Sequence, residues 1–344
     1  MKISASVYSN KEKALEDLVR ELDAHEIDML HVDCIDDEKV FDDIARIRKI
    51  SKTPVDLHII SSSPEKYLAK IEELQIEYVS FQYENLKSIP ALPKNTKTQF
   101  GLSITSATSI DDLDKLKVLP IGEDLGGACF SFVMMMATVP GKSGGEFNRE
   151  SFQRIIEFKN RFPKISVHVD GGVNDEIAYI LRLLGVHAVV SGSYLMNHDS
   201  LSAGMLSFHK AKKEHNNFRV SEFATLVKYL PVLKTSSLNF KQILETIEQY
   251  AMGFVLITDE QGKLTGVVSN ADVRRGLLKN LNDLNNVNAE TVINAKPVRI
   301  GEGATVSDII RLLNRLNFIV LFLPVVDEQN ILKGAVLLNN LTRV

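Results

Sequence analysis

Residues 29–37 read "MLHVDCIDD". His31 and Asp33 stand two apart in an apolar run, and strand residues two apart point to the same face. This stretch therefore aims an imidazole and a carboxylate at one place in what the apolar flanks mark as an interior. Working outward from it, strand-like and helix-like stretches alternate. "KISASVY" precedes helical spacing over 11–25, and "DMLHVDC" precedes a helix near 38–49. "PVDLHII" precedes a helix opened by Ser63 and Pro64, a capping residue and a first-turn proline. "YVSFQYE" runs into a proline-broken connection, so its helix is short or absent. "TQFGLSIT", "CFSFVMMMA", "ISVHVDGG" and "HAVVSGS" complete eight strands, with helices near 108–116, 149–162, 175–185 and 201–214. Eight β/α units predict an α/β fold, a (β/α)8 TIM barrel over 1–215.

After residue 215 the composition changes. "KKEHNNFRVSE" is polar and reads as a linker or bridging helix. "GFVLITDEQGKLTGVVSNADVRRGL" and "VLFLPVVDEQNILKGAVLLNNLTRV" then share one layout: strand, Asp-Glu-Gln turn, Lys and Gly, strand, Asn-containing helix start. A helical stretch precedes each, at 239–250 and 305–316. Two copies of one small α/β unit are expected, at 216–286 with the linker and at 287–344.

The chain of 344 residues is 44% apolar and 24% charged, as in a soluble globular protein. A net charge of −4 gives no electrostatic case for nucleic acid. The longest apolar runs, such as "FIVLFLPVV", are too short to span a bilayer, so no membrane role is expected. Two cysteines, Cys34 and Cys129, make neither a disulfide framework nor a metal spacing. With no apolar leader in "MKISASVYSNKEK", a cytoplasmic location is the expectation.

His31 and Asp33 end the second strand, His58 the third and Asp170 the seventh, at the barrel face where active sites are built. Two imidazoles and two carboxylates suit one divalent transition metal, zinc foremost, with iron, manganese or cobalt as alternatives. Gly144 and Gly145 follow strand six, Gly171 and Gly172 follow strand seven, and Gly192 and Ser193 follow strand eight. Backbone N–H groups bared by glycine beside a helix start cradle phosphate. His168 and Asp56 read as packed or supporting groups one layer deeper, and Glu84 as either a supporting group or a solvated one. The methionine run reads as core filling, and His25, His187, His198, His209 and His215 as solvated.

These motifs resemble the ribulose-phosphate 3-epimerase family over residues 2 to about 212: "KISAS", "LHVDCID", "VDLHI", "FQYE", "TVPGKSGGEF", "VDGGV" and "SGS". The resemblance implies that His31, Asp33, His58 and Asp170 are metal ligands. It further implies that Asp33 and Asp170 are the acid/base pair of an epimerase acting through an ene-diolate, and that Ser6 touches substrate. The rim departs from the family pattern: "DEKVFDD" replaces a glycine and aromatic loop, Gln82 replaces a histidine, and "ITSATS" lacks a proline. Lys142 and Ser143 lengthen the glycine loop, and Ile35 and Ile60 replace methionines. A ketose phosphate other than ribulose 5-phosphate, such as a six-carbon one, is compatible with that rim.

The second half resembles a smaller α/β tandem CBS domain pair, on "GVVSNADVRR". That resemblance implies an adenine nucleotide with its ribose on Asp272 and its phosphate near Ser269, helped by Arg274 and Arg275. In the second copy Leu337 and Asn340 take the matching places. Association through apolar faces into a homo-oligomer is expected of such pairs. A non-catalytic sensor of sugar phosphate and nucleotide is the competing reading. A decarboxylase on the same barrel would need a lysine that "DLHIISS" lacks.

Overall fold

A computed structural model describes residues 1–10, 12–94, 96–115, 130–141, 144–209, 215–284 and 287–342. The chain divides into two compact units, Met1–Ala211 and Lys212–Arg343.

The first unit is a closed eight-stranded parallel barrel with its strands in sequence order. Its strands are β1 (Lys2–Ser6), β2 (Met29–Cys34), β3 (Val55–Ile59), β4 (Tyr78–Gln82), β5 (Gln99–Ile104), β6 (Phe132–Met136), β7 (Ser166–Asp170) and β8 (Ala188–Ser191). Its helices are α1 (Leu15–Ala24), α2 (Lys39–Ile50), α3 (Leu68–Glu73), α4 (Ile110–Lys115), α5 (Ser151–Arg161), α6 (Asp175–Leu183), α7 (Ser193–Met196) and α8 (Leu201–His209). Between β4 and β5 the described residues hold only a short 3-10 turn, Tyr83–Asn85, as the prolines there require.

Alternation decides what faces the axis. Leu30, Val32, Leu57, Val79, Leu102, Val133 and Val169 are buried at the positions between the inward residues, as expected of strands covered by helices. Inward, Met29, Tyr78, Phe132, Met134, Met136, Ala188 and Val190 form one buried cluster. Two of the three consecutive methionines thus fill the barrel interior. The same inward rows carry Ser4, His31, Asp56, His58, Ser80, Gln82 and His168, all buried. His168 stacks on Phe132 at 4.3 Å, which makes it a packing residue. His215 was expected to be solvated but is buried.

The second unit repeats a hairpin. Its helices are α9 (Val220–Phe223), α10 (Phe240–Tyr250), α11 (Asn270–Lys279), α12 (Ala289–Val292) and α13 (Val306–Asn314). A three-stranded sheet runs β10 (Val232–Lys234), β11 (Phe254–Thr258), β12 (Leu264–Ser269). A four-stranded sheet runs β13 (Ile300–Gly301), β14 (Phe322–Val326), β15 (Leu332–Leu337), β9 (Thr225–Leu226). The hairpins correspond residue by residue: Phe254 pairs Ser269 as Phe322 pairs Leu337, and both hairpins shift register two residues before the turn's Glu-Gln. The Leu264 N–H donates to Asn330 O while the Leu332 N–H donates to Gly262 O, and the Phe254 and Phe322 rings stack at 3.8 Å. The first copy continues into the ten-residue helix α11. The second ends in a 3-10 turn, Asn339–Thr342, where a helix start was expected. No helix among the described residues is long and apolar enough to cross a membrane.

Candidate active site

Parallel pairing of β2 with β3 sets Asp33 opposite His58 and His31 opposite Asp56. All four side chains point inward, so two strands alone supply two imidazoles and two carboxylates. One ligand atom each from His31, Asp33 and His58 lies within 4.8 Å of the others. Asp170 ends β7 and lies outside that group of three. It is still near enough for the charges on His31, Asp33 and His58 to act on its acidity.

The hydrogen bonds orient both rings. His31 Nδ1 lies 2.9 Å from Asp56 Oδ2, and the Ser4 hydroxyl donates to the same oxygen at 2.9 Å. A carboxylate accepts only, so His31 Nδ1 carries a proton, and its Nε2 faces Asp33 Oδ1 at 3.4 Å. That Nε2 is fully buried and has no hydrogen-bond partner. On the other side, His58 Nδ1 lies 3.2 Å from Asp33 Oδ1 and Nε2 lies 2.9 Å from Gln82 Oε1. Buried polar atoms are nearly always satisfied. A buried imidazole nitrogen without a hydrogen-bond partner, beside a carboxylate and a second imidazole, fits a divalent cation, with nitrogen and oxygen donors of the kind zinc, iron, manganese and cobalt accept.

Burial by itself would pull the His31 imidazole down, but the charges and hydrogen bonds of Asp56 and Asp33 outweigh it and hold the ring well above its ordinary range. Burial would likewise raise Asp33 and Asp56. The facing imidazoles reverse this, chiefly His31, and hold both carboxyls below the usual range. Asp170 goes the other way: burial, opposed by His31 and reinforced by Asp33, pushes it up to about 6. One carboxylate kept ionised and another ready to hold a proton near neutrality are the pairing that acid/base chemistry requires.

The glycine loops meet at the same mouth. A Cβ on Gly192 would lie 2.1 Å from Ser9 Oγ and 3.3 Å from Ser6 Cβ, so the loops after β1 and β8 touch. The Ser9 hydroxyl donates to Ser6 Oγ at 3.0 Å. Gly172 has φ +66, and a Cβ there would meet the Phe147 backbone nitrogen at 2.5 Å. Gly145 and Gly171 both close on Thr138, and a Cβ on Gly144 would meet nothing within 4 Å among the described residues. Gly172 is thus required by its backbone and by loop contact, whatever binds there. Lys142 and Ser143 lie outside the described residues. Gly141 packs on Ile35 and Ile60, which form an apolar lip beside the site.

Asp56, Gln82, Thr138 and Ser9 are the residues that sequence reasoning undervalued. Asp56 and His58 repeat the two-residue spacing of His31 and Asp33, a signal that was available. Gln82 stands out only against the family pattern, and nothing local marks Thr138 and Ser9.

In the second unit, Ser269 caps α11 and Asp272 completes a reciprocal cap. Asp272 Oδ2 accepts from the Ser269 N–H at 2.8 Å and from its hydroxyl at 2.5 Å, while Arg275 donates to Oδ1. A carboxylate offers about four acceptor positions, so little room is left for two ribose hydroxyls unless Arg275, largely exposed, swings away. Nearby, Met252, Phe254, Asn270 and Leu337 line a cavity of about 330 Å³.

Comparison with known proteins places the closed barrel that carries the His/Asp/His cluster in a family. The model of the ribulose-phosphate 3-epimerase family matches residues 2–196, and the chain belongs to that family. The CBS domain model matches residues 289–344. The ribulose-phosphate 3-epimerase of Aquifex aeolicus (strain VF5) is 26% identical over 190 residues, 51% of this chain and 81% of that one. That of Methanocaldococcus jannaschii is 23% identical over 227 residues, 63% of this chain and 93% of that one. A solved structure of CBSX2 in complex with AMP aligns over 37% of this chain and 95% of its own, with 25% identity and a TM-score of 0.32.

Asp56→Ala leaves His31 Nδ1 and the Ser4 hydroxyl buried without their acceptor. Breaking such a buried pair costs about 3–5 kcal/mol. The expected outcome is a lower urea midpoint for the barrel, followed by hydrogen exchange of β2 and β3 amides; an unchanged midpoint contradicts the buried-pair account.

Proposed function

We propose that the barrel is a metal-dependent 3-epimerase of a ketose phosphate. His31, Asp33, His58 and Asp170 would surround one divalent ion, zinc foremost, and Asp33 and Asp170 would carry the protons. The observation that carries this reading is the buried, unpartnered Nε2 of His31 facing Asp33, with its Nδ1 already committed to Asp56. When bound, the ion would supply positive charge against the ene-diolate.

The chain's own groups do the rest. One carboxylate removes the proton from the carbon beside the carbonyl, and the bonding pair moves toward the carbonyl oxygen. The other carboxylate, protonated, returns a proton to the opposite face as the carbonyl re-forms, which inverts the centre. Because the pair exchanges roles, the reaction runs in either direction. Gly171, Gly172, Gly192 and Ser193 would hold the phosphate on backbone N–H groups, with Ser6 beside Gly192 and with Gly144 and Gly145 closing over it. The names of the family's members support ribulose 5-phosphate as the first substrate to assay, and the isoleucine lip supports including six-carbon ketose phosphates.

Elemental analysis should find one divalent ion per chain in the wild type and a sharp loss in His58→Ala. Equal metal in both would remove His58 from the ligand set. Asp33→Asn and Asp170→Asn should each lower epimerisation by at least ~100-fold. Exchange of substrate hydrogen with solvent deuterium should survive in one of them, since each lacks a proton carrier on one face only. Near-normal epimerisation in Asp33→Asn contradicts the two-carboxylate scheme. Stoichiometric metal without turnover of any ketose phosphate would favour a binding protein over an enzyme.

We infer that the second unit takes one adenine nucleotide per chain, beside the capped start of α11. The support is the match of the CBS domain model to residues 289–344 of the same unit, the cavity beside Asn270, and the asymmetry between the two copies. Ser269 and Asp272 open a full helix, whereas Leu337 and Asn340 offer neither hydroxyl nor charge. Asp272→Asn keeps an acceptor for the cap. It removes a charged contact worth roughly 1.5–3 kcal/mol, so affinity should fall about 10–100-fold. Calorimetric titration with AMP, ADP and ATP is the measurement; two equivalent sites, or no binding of any of the three, contradict this reading.

A further inference from the structure

Gln82 lies between a candidate ligand and the protein surface, and its amide can be oriented from its neighbours alone. Its Nε2 is 2.6 Å from Glu84 Oε2 and 3.3 Å from the Ser103 carbonyl oxygen. The Ser103 carbonyl can only accept, so the NH2 end must face it, and the Glu84 carboxylate wants the same end. The carbonyl end is therefore turned to His58, 2.9 Å from Nε2, where it can only accept a proton.

Glu84 is fixed in turn. Its Oε1 accepts from the Thr105 N–H at 2.8 Å, the Thr105 hydroxyl at 2.8 Å and the Thr108 hydroxyl at 2.6 Å. That loop is fastened from α5, where the Arg154 guanidinium donates to the carbonyls of Thr105, Ser106 and Thr108 at 2.8–3.0 Å. A run of directed hydrogen bonds thus connects the outer helix layer to the ring of His58.

We propose that Gln82, held by Glu84 and the Ser103 carbonyl, is a positioning residue that accepts a hydrogen bond from His58 Nε2 and so holds the ring with its Nδ1 turned to Asp33. Its consequence for metal binding rests on the reading under Proposed function. The two rings then present different nitrogens, Nε2 from His31 and Nδ1 from His58, because their backing acceptors lie on different sides: Asp56 behind His31 Nδ1, Gln82 behind His58 Nε2. A histidine at position 82 would serve as well, since one ring nitrogen can accept from His58 while the other donates to Glu84. Methionine, of similar size, offers only a weak sulfur acceptor and no donor.

The test has two arms, both on the full chain. In the metal-free wild type, nitrogen-15 spectra of the histidine rings should show His58 Nε2 protonated; a bare Nε2 overturns the proposal. Zinc affinity, measured by competition with a chelator, should fall about 10–100-fold in Gln82→Met, the usual cost of removing a group behind a ligand. Gln82→His should restore it. Wild-type affinity in Gln82→Met, or a loss in Gln82→His equal to that in Gln82→Met, also overturns it. Should the wild type bind no zinc, the metal reading fails while the nitrogen-15 arm still decides the role of Gln82.

Discussion

Everything at the barrel mouth depends on one register, Asp33 opposite His58 and His31 opposite Asp56. Four ionisable groups in adjacent parallel strands would be costly in an interior unless each found a partner, because an unpaired charge in low dielectric forfeits its hydration. The register supplies the partners. Asp56 backs one ring, Asp33 stands between the two, and Gln82 backs the other from the next strand. Slipping the pairing by one residue would turn all of them toward the helices and send Val32 and Leu57 inward.

The barrel interior is therefore divided by chemistry. Aromatic, methionine and small apolar side chains fill it where no work is done, with His168 stacked among them. Toward the mouth, the filling changes to a hydrogen-bonded row running from Ser4 through Asp56, His31, Asp33, His58 and Gln82 to Glu84. Such networks polarise their members and rigidify the groups they join. Here the rigid groups include the two imidazoles whose orientation decides what the site can hold. Among the described residues of the row, His31 Nε2 and Asp56 Oδ1 are buried without a hydrogen-bond partner.

The second unit shows how a repeat can diverge without losing its frame. Both hairpins keep their pairing, their register shift and the reciprocal bonds between Leu264 and Asn330 and between Leu332 and Gly262. What differs is the segment after the last strand. The first copy, with Ser269 and Asp272, caps a helix; the second, with Leu337 and Asn340, makes only a short turn among the described residues. A hydroxyl at the cap position and a carboxylate three residues on satisfy two N–H groups at a helix start. Leucine at the cap position satisfies none.

The sequence by itself determined the barrel, the eight strands, the missing helix after β4 and the repeat in the second half, because these follow from local periodicity, proline placement and internal similarity. It also placed His31, Asp33, His58 and Asp170 at strand ends, since a period of two and a strand terminus are both local properties. Only the tertiary structure decided which of them converge. Closure and register drew His31, Asp33 and His58 within 4.8 Å, left Asp170 across the mouth, and gave Gln82 and Asp56 their places behind the rings. It likewise gave Gly172 a packing role against Phe147, which lies 25 residues earlier in the chain, and buried His215. These are contacts between segments far apart in sequence. Their geometry is set by how neighbouring strands align, which no single strand encodes.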